Sequence, residues 1–141
     1  MRLKGGCHCG NLGLEFETGT APAELPLRAC QCTFCRAHGV LSVSDPKGSV
    51  SVSAGDAALV QRYRFGLGVT DFLICRRCGV YLLAMVEQDG ERYAVINANV
   101  LERRGELSGL PQPMDYGGED AAARLARRKT RWTPIAALKG L

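Results

Sequence analysis

The chain of 141 residues is 46% hydrophobic and 23% charged, a composition typical of a globular protein long enough for one hydrophobic core. Charged residues interrupt every apolar run, so no membrane-spanning helix is predicted, and the N-terminus lacks the apolar segment of a signal peptide. The formal net charge of +4 suits an anionic small substrate and does not require a nucleic-acid partner. We therefore predict a single domain over residues 1–141, located in the cytoplasm.

Short strands dominate the first hundred residues. The stretch "NLGLEFET" alternates in polarity and places Leu12, Leu14 and Phe16 on one face. Similar segments follow in the order "LSVSD", "SVSVS", "LVQRYRFG", "VTDFLI", "VYLLAMVE" and "RYAVINANV". The last two flank Asp89-Gly90, which is a strong signal for a β-hairpin. Strands at this spacing predict a mainly β fold of the sandwich type.

Two helices are expected among these strands. A short helix begins near Thr33, whose hydroxyl can cap the turn that carries Cys35. A C-terminal helix is indicated by "GGEDAAARLARRK", with acids at its start and bases at its end. The cations of this region favour a solvated helix face over a phosphate-binding surface, because the net charge is small; they are Arg124, Arg127, Arg128, Lys129 and Arg131.

Seven cysteines form three tight clusters, and this spacing in a reducing compartment favours metal binding over disulfides. The clusters are Cys7 and Cys9, then Cys30, Cys32 and Cys35, then Cys75 and Cys78. Thiolates are preferred ligands of Zn²⁺. An iron–sulfur cluster, a redox-active C-x-x-C pair and inert buried thiols are the alternatives. The βαβ pattern that usually surrounds a redox C-x-x-C is absent.

Ligand counts divide the cysteines into a set of four and a set of three. The pairs Cys7/Cys9 and Cys75/Cys78 give four ligands, which is enough for a closed structural zinc site that cross-links distant parts of one fold. The remaining three, Cys30, Cys32 and Cys35, leave one position open, as in catalytic zinc sites. The substrate would occupy that position, where zinc can act as a Lewis acid.

Several residues near the clusters are secondary candidates. Arginines beside the cysteines can offset thiolate charge; these are Arg28, Arg36, Arg76 and Arg77. His38 is a candidate proton shuttle or fourth ligand, whereas His8 is expected to point outward. Possible pocket residues are Asn97, Asn99, Tyr116 and Trp132. No nucleophilic triad, phosphate-binding loop or dinucleotide motif is present, so zinc is the only cofactor implied.

The motifs "GGCHCGNL", "CQCTFCRAHG", "FLICRRCGVYL" and "VINANVL", with "RWTP" near Trp132, resemble the glutathione-dependent formaldehyde-activating enzyme (GFA) family. The resemblance covers roughly residues 5–101 and includes every cysteine in order and spacing. It implies an Mss4-like, zinc-stapled β-sandwich with two zinc ions. The structural ion would be held by Cys7, Cys9, Cys75 and Cys78, and the catalytic ion by Cys30, Cys32 and Cys35.

Two functional hypotheses follow. The resemblance implies a carbon–sulfur lyase that acts on a thiol–aldehyde adduct, such as S-hydroxymethylglutathione formed from glutathione and formaldehyde. The alternative is a zinc-stabilised, non-catalytic module that binds a protein or nucleic acid through its basic helix. The expected partner under the first hypothesis is a small thiol or aldehyde, and the sequence does not indicate an oligomeric state.

Overall fold

The computed structural model describes residues 1–141, and 40% of them lie in strands, which confirms the mainly β fold class. The strands are β1 (Arg2–Gly6), β2 (Leu12–Glu17), β3 (Arg28–Cys30), β4 (Ser42–Val43), β5 (Ser49–Ala54), β6 (Val60–Tyr63), β7 (Asp71–Cys75), β8 (Tyr81–Gln88), β9 (Glu91–Asn97), β10 (Gln112–Met114) and β11 (Thr133–Lys139). The α-helices are α1 (Thr33–His38) and α2 (Ala121–Arg131). Short 3₁₀ turns span Pro22–Glu24, Ala57–Leu59, Ala98–Val100 and Arg104–Glu106. No helix is both long enough and apolar enough to span a bilayer.

The last strand joins the two halves of the sheet. The hydrogen-bonded order is β1-β2-β5-β11-β9-β4-β3-β10, and β8, β7 and β6 extend from β9 in turn. Strand β11 runs parallel to β5 and antiparallel to β9. Its register with β5 shifts between Ile135 and Ala137, an irregularity of the kind that bends a strand.

Two hydrophobic cores lie on opposite sides of β8. The larger core combines Phe16 and Leu14 of β2 with Leu83 and Met85 of β8, so both halves of the sheet pack against it. As the alternating pattern predicts, Leu12, Leu14 and Phe16 are all buried. The smaller core contains other β8 side chains together with Trp132, and α2 packs over it on β8 and β9. A cavity lies on this second side, lined in part by residues of the smaller core.

Local turn chemistry explains the predicted hairpin and helices. Strands β8 and β9 are joined by Asp89 and Gly90, with φ of +55° and +79°, as a tight hairpin turn requires. Helix α2 begins as predicted, capped by Asp120, which accepts a hydrogen bond from the Ala123 N–H at 2.8 Å. Helix α1 also begins at Thr33, but the cap is not Thr33, because the preceding cysteine sulfur takes that position.

Candidate metal centres and active site

Four cysteines from two distant turns converge at one point. Cys7 and Cys9 lie between β1 and β2, whereas Cys75 ends β7 and Cys78 lies in the turn that follows it. The Cys9 sulfur is 3.7 Å from the Cys7 sulfur and 3.6 Å from the Cys75 sulfur, although Cys9 and Cys75 are 66 residues apart. All four sulfurs lie within 4.8 Å of one another, so this cluster can hold a metal ion.

The spacing and protonation of this cluster fit a tetrahedral thiolate site. Zinc–sulfur bonds of about 2.3 Å place the sulfurs of a tetrahedron about 3.8 Å apart, close to the observed separations. Gly79 donates its N–H to the Cys75 carbonyl at 2.8 Å and has φ of +81°, which closes the second turn. Burial raises the pKa of the Cys7 thiol to about 11. Burial opposes ionisation of Cys78 too, but backbone hydrogen bonds, first from Cys9, lower its pKa to about 6.

The other three cysteines form a second cluster at the start of α1. Cys30 ends β3, Cys32 caps α1 and Cys35 lies in the first turn of that helix. The Cys32 sulfur accepts a hydrogen bond from the Cys35 N–H at 3.4 Å. All three sulfurs lie within 4.8 Å of one another, and no histidine or carboxylate belongs to the cluster. A metal ion held here would therefore have only three protein ligands.

Hydrogen bonding within this cluster favours one thiolate before any ion binds. The hydrogen bond with Cys35 lowers the pKa of Cys30 to about 5 despite burial, and the charge of Arg127 contributes to the same effect. That hydrogen bond and burial raise the pKa of the Cys35 thiol. Because metal ions bind thiolates, binding would release the protons that remain on the other sulfurs.

A cavity of about 180 Å³ opens beside the three-cysteine cluster. Cys30, Cys32 and Cys35 line it, whereas none of the four cysteines of the other cluster does. Much of the remaining wall is apolar or aromatic, formed by Phe65, Leu67, Val69, Phe72, Ala84, Val95 and Trp132. The three-cysteine cluster is thus the one with access to a small-molecule site.

Tyr81 is a buried residue that also lines this cavity. The residue is 3% exposed, and its hydroxyl forms no hydrogen bond with another protein group. Burial raises the pKa of Tyr81, and the negative charges of the three cysteines raise it further, so the phenol keeps its proton at neutral pH. The hydroxyl can therefore donate a hydrogen bond to a ligand in the cavity.

Four arginines also line this cavity: Arg28 of β3, and Arg124, Arg127 and Arg128 of α2. Arg127 makes a two-point bond to Glu119, at 2.8 and 3.0 Å, and lies 3.5 Å from the Tyr116 ring centroid. Because Arg124 and Arg128 line the cavity together with Arg127, the prediction of a solvated helix face is wrong for these three arginines. Their spacing at i, i+3 and i+4 was the available signal, since such residues share one helix face.

Comparison with known proteins agrees with this geometry. The model of the glutathione-dependent formaldehyde-activating enzyme family matches residues 2–113. The chain belongs to this family. A crystal structure of a Rhodobacter sphaeroides protein is similar at 30% identity and a TM-score of 0.60, covering 77% of this chain and 98% of that one. A comparison with curated proteins gives no significant match.

Membership of the GFA family confirms the resemblance drawn from the cysteine motifs, and the two clusters have the predicted division into four and three. The matched segment ends at residue 113. Helix α2, Tyr116 and Trp132 therefore lie beyond it, although all three border the cavity. Part of the cavity wall in this GFA protein comes from a segment that the family model does not match.

Other predicted candidates lie away from the cavity of this GFA protein. His8 is exposed, as expected, and His38 is also exposed, with its Nδ1 3.0 Å from the Phe34 carbonyl oxygen rather than at the cysteines. Asn97 donates to the Tyr81 carbonyl at 2.9 Å, and Asn99 donates to the Gly39 carbonyl at 3.0 Å. Both asparagines stabilise loops instead of lining the cavity. Of the four arginines expected beside cysteines, three are exposed and away from it: Arg36, Arg76 and Arg77.

Proposed function

We propose that this GFA protein is a zinc-dependent carbon–sulfur lyase that acts on a thiol–aldehyde adduct such as S-hydroxymethylglutathione. The observation that carries this proposal is the position of the three-cysteine cluster in the cavity wall. The proposed catalytic site consists of Cys30, Cys32 and Cys35. Seven free cysteines suit a reducing compartment such as the cytoplasm.

Two zinc ions per chain are part of the proposal. The four-cysteine set of Cys7, Cys9, Cys75 and Cys78 would hold a closed structural ion, because four thiolates complete a tetrahedron. The cavity set would hold the second ion with an open position. Thiolate-only ligand sets favour zinc over harder ions such as Mg²⁺. When bound in the cavity, zinc would supply Lewis-acid stabilisation to sulfur or oxygen of the substrate.

The reaction is a reversible cleavage of one carbon–sulfur bond. In the direction of release, the bond between sulfur and the hydroxymethyl carbon breaks, and its electron pair stays on sulfur. The hydroxyl group loses its proton and becomes the carbonyl oxygen of formaldehyde. The reverse direction joins the same thiolate to formaldehyde and returns the proton to oxygen, so no oxidant or reductant is needed.

Residues of the cavity wall have distinct parts in this reaction. The Tyr81 hydroxyl would donate a hydrogen bond to the oxygen that alternates between hydroxyl and carbonyl forms. The aromatic wall, including Phe72 and Trp132, would limit the access of water to a bound substrate and so strengthen polar interactions with it. The cavity arginines favour a thiolate over a neutral thiol, because positive charge stabilises the ionised form.

The test combines metal analysis with exchange kinetics. Wild-type protein, prepared without chelator, should contain two zinc ions per chain and accelerate exchange of ¹³C-formaldehyde between free and glutathione-bound forms, followed by NMR. Cys35→Ser should contain one zinc ion and lose the acceleration, whereas Lys129→Gln, an exposed change on α2, should retain both properties. Wild-type protein with two zinc ions and no acceleration would contradict the lyase proposal and favour a binding module.

A further inference from the structure

Arg128 is a buried cation without an anionic partner. It is 8% exposed and forms no salt bridge with any acidic residue of the chain. One guanidinium nitrogen, Nη1, donates to the Thr70 hydroxyl, and the group lies 4.5 Å from the Trp132 ring centroid. Its Nε is buried with no hydrogen-bond partner. Burying an unpaired charge is costly, so such a group indicates a missing counterpart.

The nearby acids are already used by other groups. Glu119 accepts both hydrogen bonds from Arg127 and lies 3.5 Å from Arg124. Asp115 is exposed and accepts a hydrogen bond from the Gly117 N–H at 2.9 Å. Neither carboxylate neutralises Arg128, so the cavity retains an excess of positive charge that a ligand can balance.

A second cation connects this charge to the cysteine cluster. Arg28 lines the same cavity, donates to the Ser44 hydroxyl at 2.5 Å and has no acidic partner. Arg28 and Cys30 are two residues apart on β3, so both side chains leave the same face of the strand. Two steps of strand separate their backbones by about 6.6 Å. A compact ligand can therefore reach both the cysteines and an arginine.

We propose that Arg128 and Arg28 form a carboxylate subsite, which holds an acidic end of the thiol substrate while its sulfur is at the three-cysteine cluster. The inference rests on the proposed function and adds the two residues that would recognise an acidic group of the thiol substrate. Arginine presents a planar fork that matches a carboxylate with two parallel hydrogen bonds. The cavity, at about 180 Å³, is smaller than the roughly 300–1,000 Å³ of sites for drug-sized ligands. It accommodates one compact acidic arm of a substrate.

Helix α2 gives this subsite its specificity. Arg128 lies beyond residue 113, where the family match ends, so the α2 part of the subsite belongs to the unmatched segment of this chain. Arg28 lies within the matched segment. The choice of acidic thiol would thus depend on α2, whereas the three-cysteine cluster would supply the chemistry common to different thiols.

The only tryptophan of the chain offers a direct test, because Trp132 is stacked with Arg128. Zinc-loaded protein is titrated with succinate, with its uncharged diamide, and with inorganic phosphate, while Trp132 fluorescence is recorded. Succinate should give a saturable change in Trp132 fluorescence, whereas the diamide should give no change. Arg128→Gln should weaken succinate binding at least about 30-fold, because removing one partner of a buried charge pair causes a large loss of affinity. Arg128→Lys should bind with intermediate affinity, and Lys129→Gln should match wild type.

The outcomes separate this subsite from the lyase proposal. Absence of a saturable succinate signal, equal affinity in Arg128→Gln, or tighter binding of phosphate than of succinate would overturn the carboxylate subsite. If Arg128→Gln does not fold, Arg28→Gln and the comparison of succinate with its diamide in wild type decide the question. Succinate binding without formaldehyde exchange would support the subsite and contradict the lyase. In the exchange assay, 3-mercaptopropionate should have a lower KM than 2-mercaptoethanol, and this preference should disappear in Arg128→Gln.

Discussion

Replacement of Cys9 by serine should destabilise the whole fold, because a zinc ion held by the four-cysteine cluster would cross-link residues that are 66 positions apart. In the chain-entropy treatment of a cross-link, closing a loop of that length stabilises the folded state by about 4.4 kcal/mol. A loop of about five residues, like that between Cys30 and Cys35, gives only about 2 kcal/mol in the same treatment. Cys9 is exposed, so the substitution removes a ligand without opening a hole in the core.

The assay is urea and thermal unfolding of zinc-loaded protein, with zinc content measured on the same samples. Release of zinc from the three cysteines that remain in Cys9→Ser would remove the cross-link completely, which sets the largest expected fall in melting temperature at roughly 9–18 °C, given about 2–4 °C per kcal/mol for a domain near this size. His8→Ala, a change at the exposed neighbour, is the control. Cys32→Ser should lower the melting temperature less than Cys9→Ser does, because serine is also a good N-cap for α1. A Cys9→Ser variant as stable as wild type, beside a strongly destabilised Cys32→Ser, would refute the assignment of structural and catalytic clusters.

Three further outcomes are expected. Tyr81→Phe should retain both zinc ions and lower the exchange rate about 10- to 100-fold, as measured by NMR, because a hydrogen bond to the reacting oxygen is lost; an unchanged rate would exclude that role. Glu119→Gln should lower stability by roughly 1 kcal/mol at neutral pH. The hydrogen bond from Arg127 holds the pKa of Glu119 below its usual value. The difference in unfolding free energy between Glu119→Gln and wild type should therefore shrink as pH falls below about 4.5; a difference that stays constant with pH would contradict this role of the ion pair. Gly5→Ala should be destabilised in urea by roughly 1–3 kcal/mol, because its Cβ would lie 2.6 Å from a backbone carbonyl oxygen, whereas Gly19→Ala, with open space around it, should match wild type.

The sequence predicted what local chemistry determines. Short alternating segments identified most strands, and Asp89-Gly90 identified the hairpin, because turn geometry and side-chain alternation act over a few residues. The grouping of the cysteines was also predictable, since a metal ion requires thiolates in restricted numbers and spacings. Even the incorrect cap of α1 had a local cause, because a cysteine sulfur took the position expected of a hydroxyl.

Features that depend on distant packing were not predicted. Strand β11 lacks a distinctive alternating pattern, and its position depends on β5 and β9, which are both distant in sequence. The orientation of Arg128 depends on the Thr70 hydroxyl, which lies 58 residues earlier in the chain and contacts α2 only in the folded protein. His38 was a reasonable ligand candidate by spacing, but the direction of α1 places its ring against Phe34.

The central position of β11 has a consequence during synthesis. Strand β5 ends at Ala54 and β11 begins at Thr133, so about 80 further residues must be translated before these two strands can pair. At about 5–20 residues per second, that delay is about 4–16 s. Throughout it, one edge of β5 has unpaired backbone groups, which are open to pairing with other nascent chains. We expect the sheet to close only once β11 has been translated, and the yield of folded protein to depend on protection of the β5 edge until then.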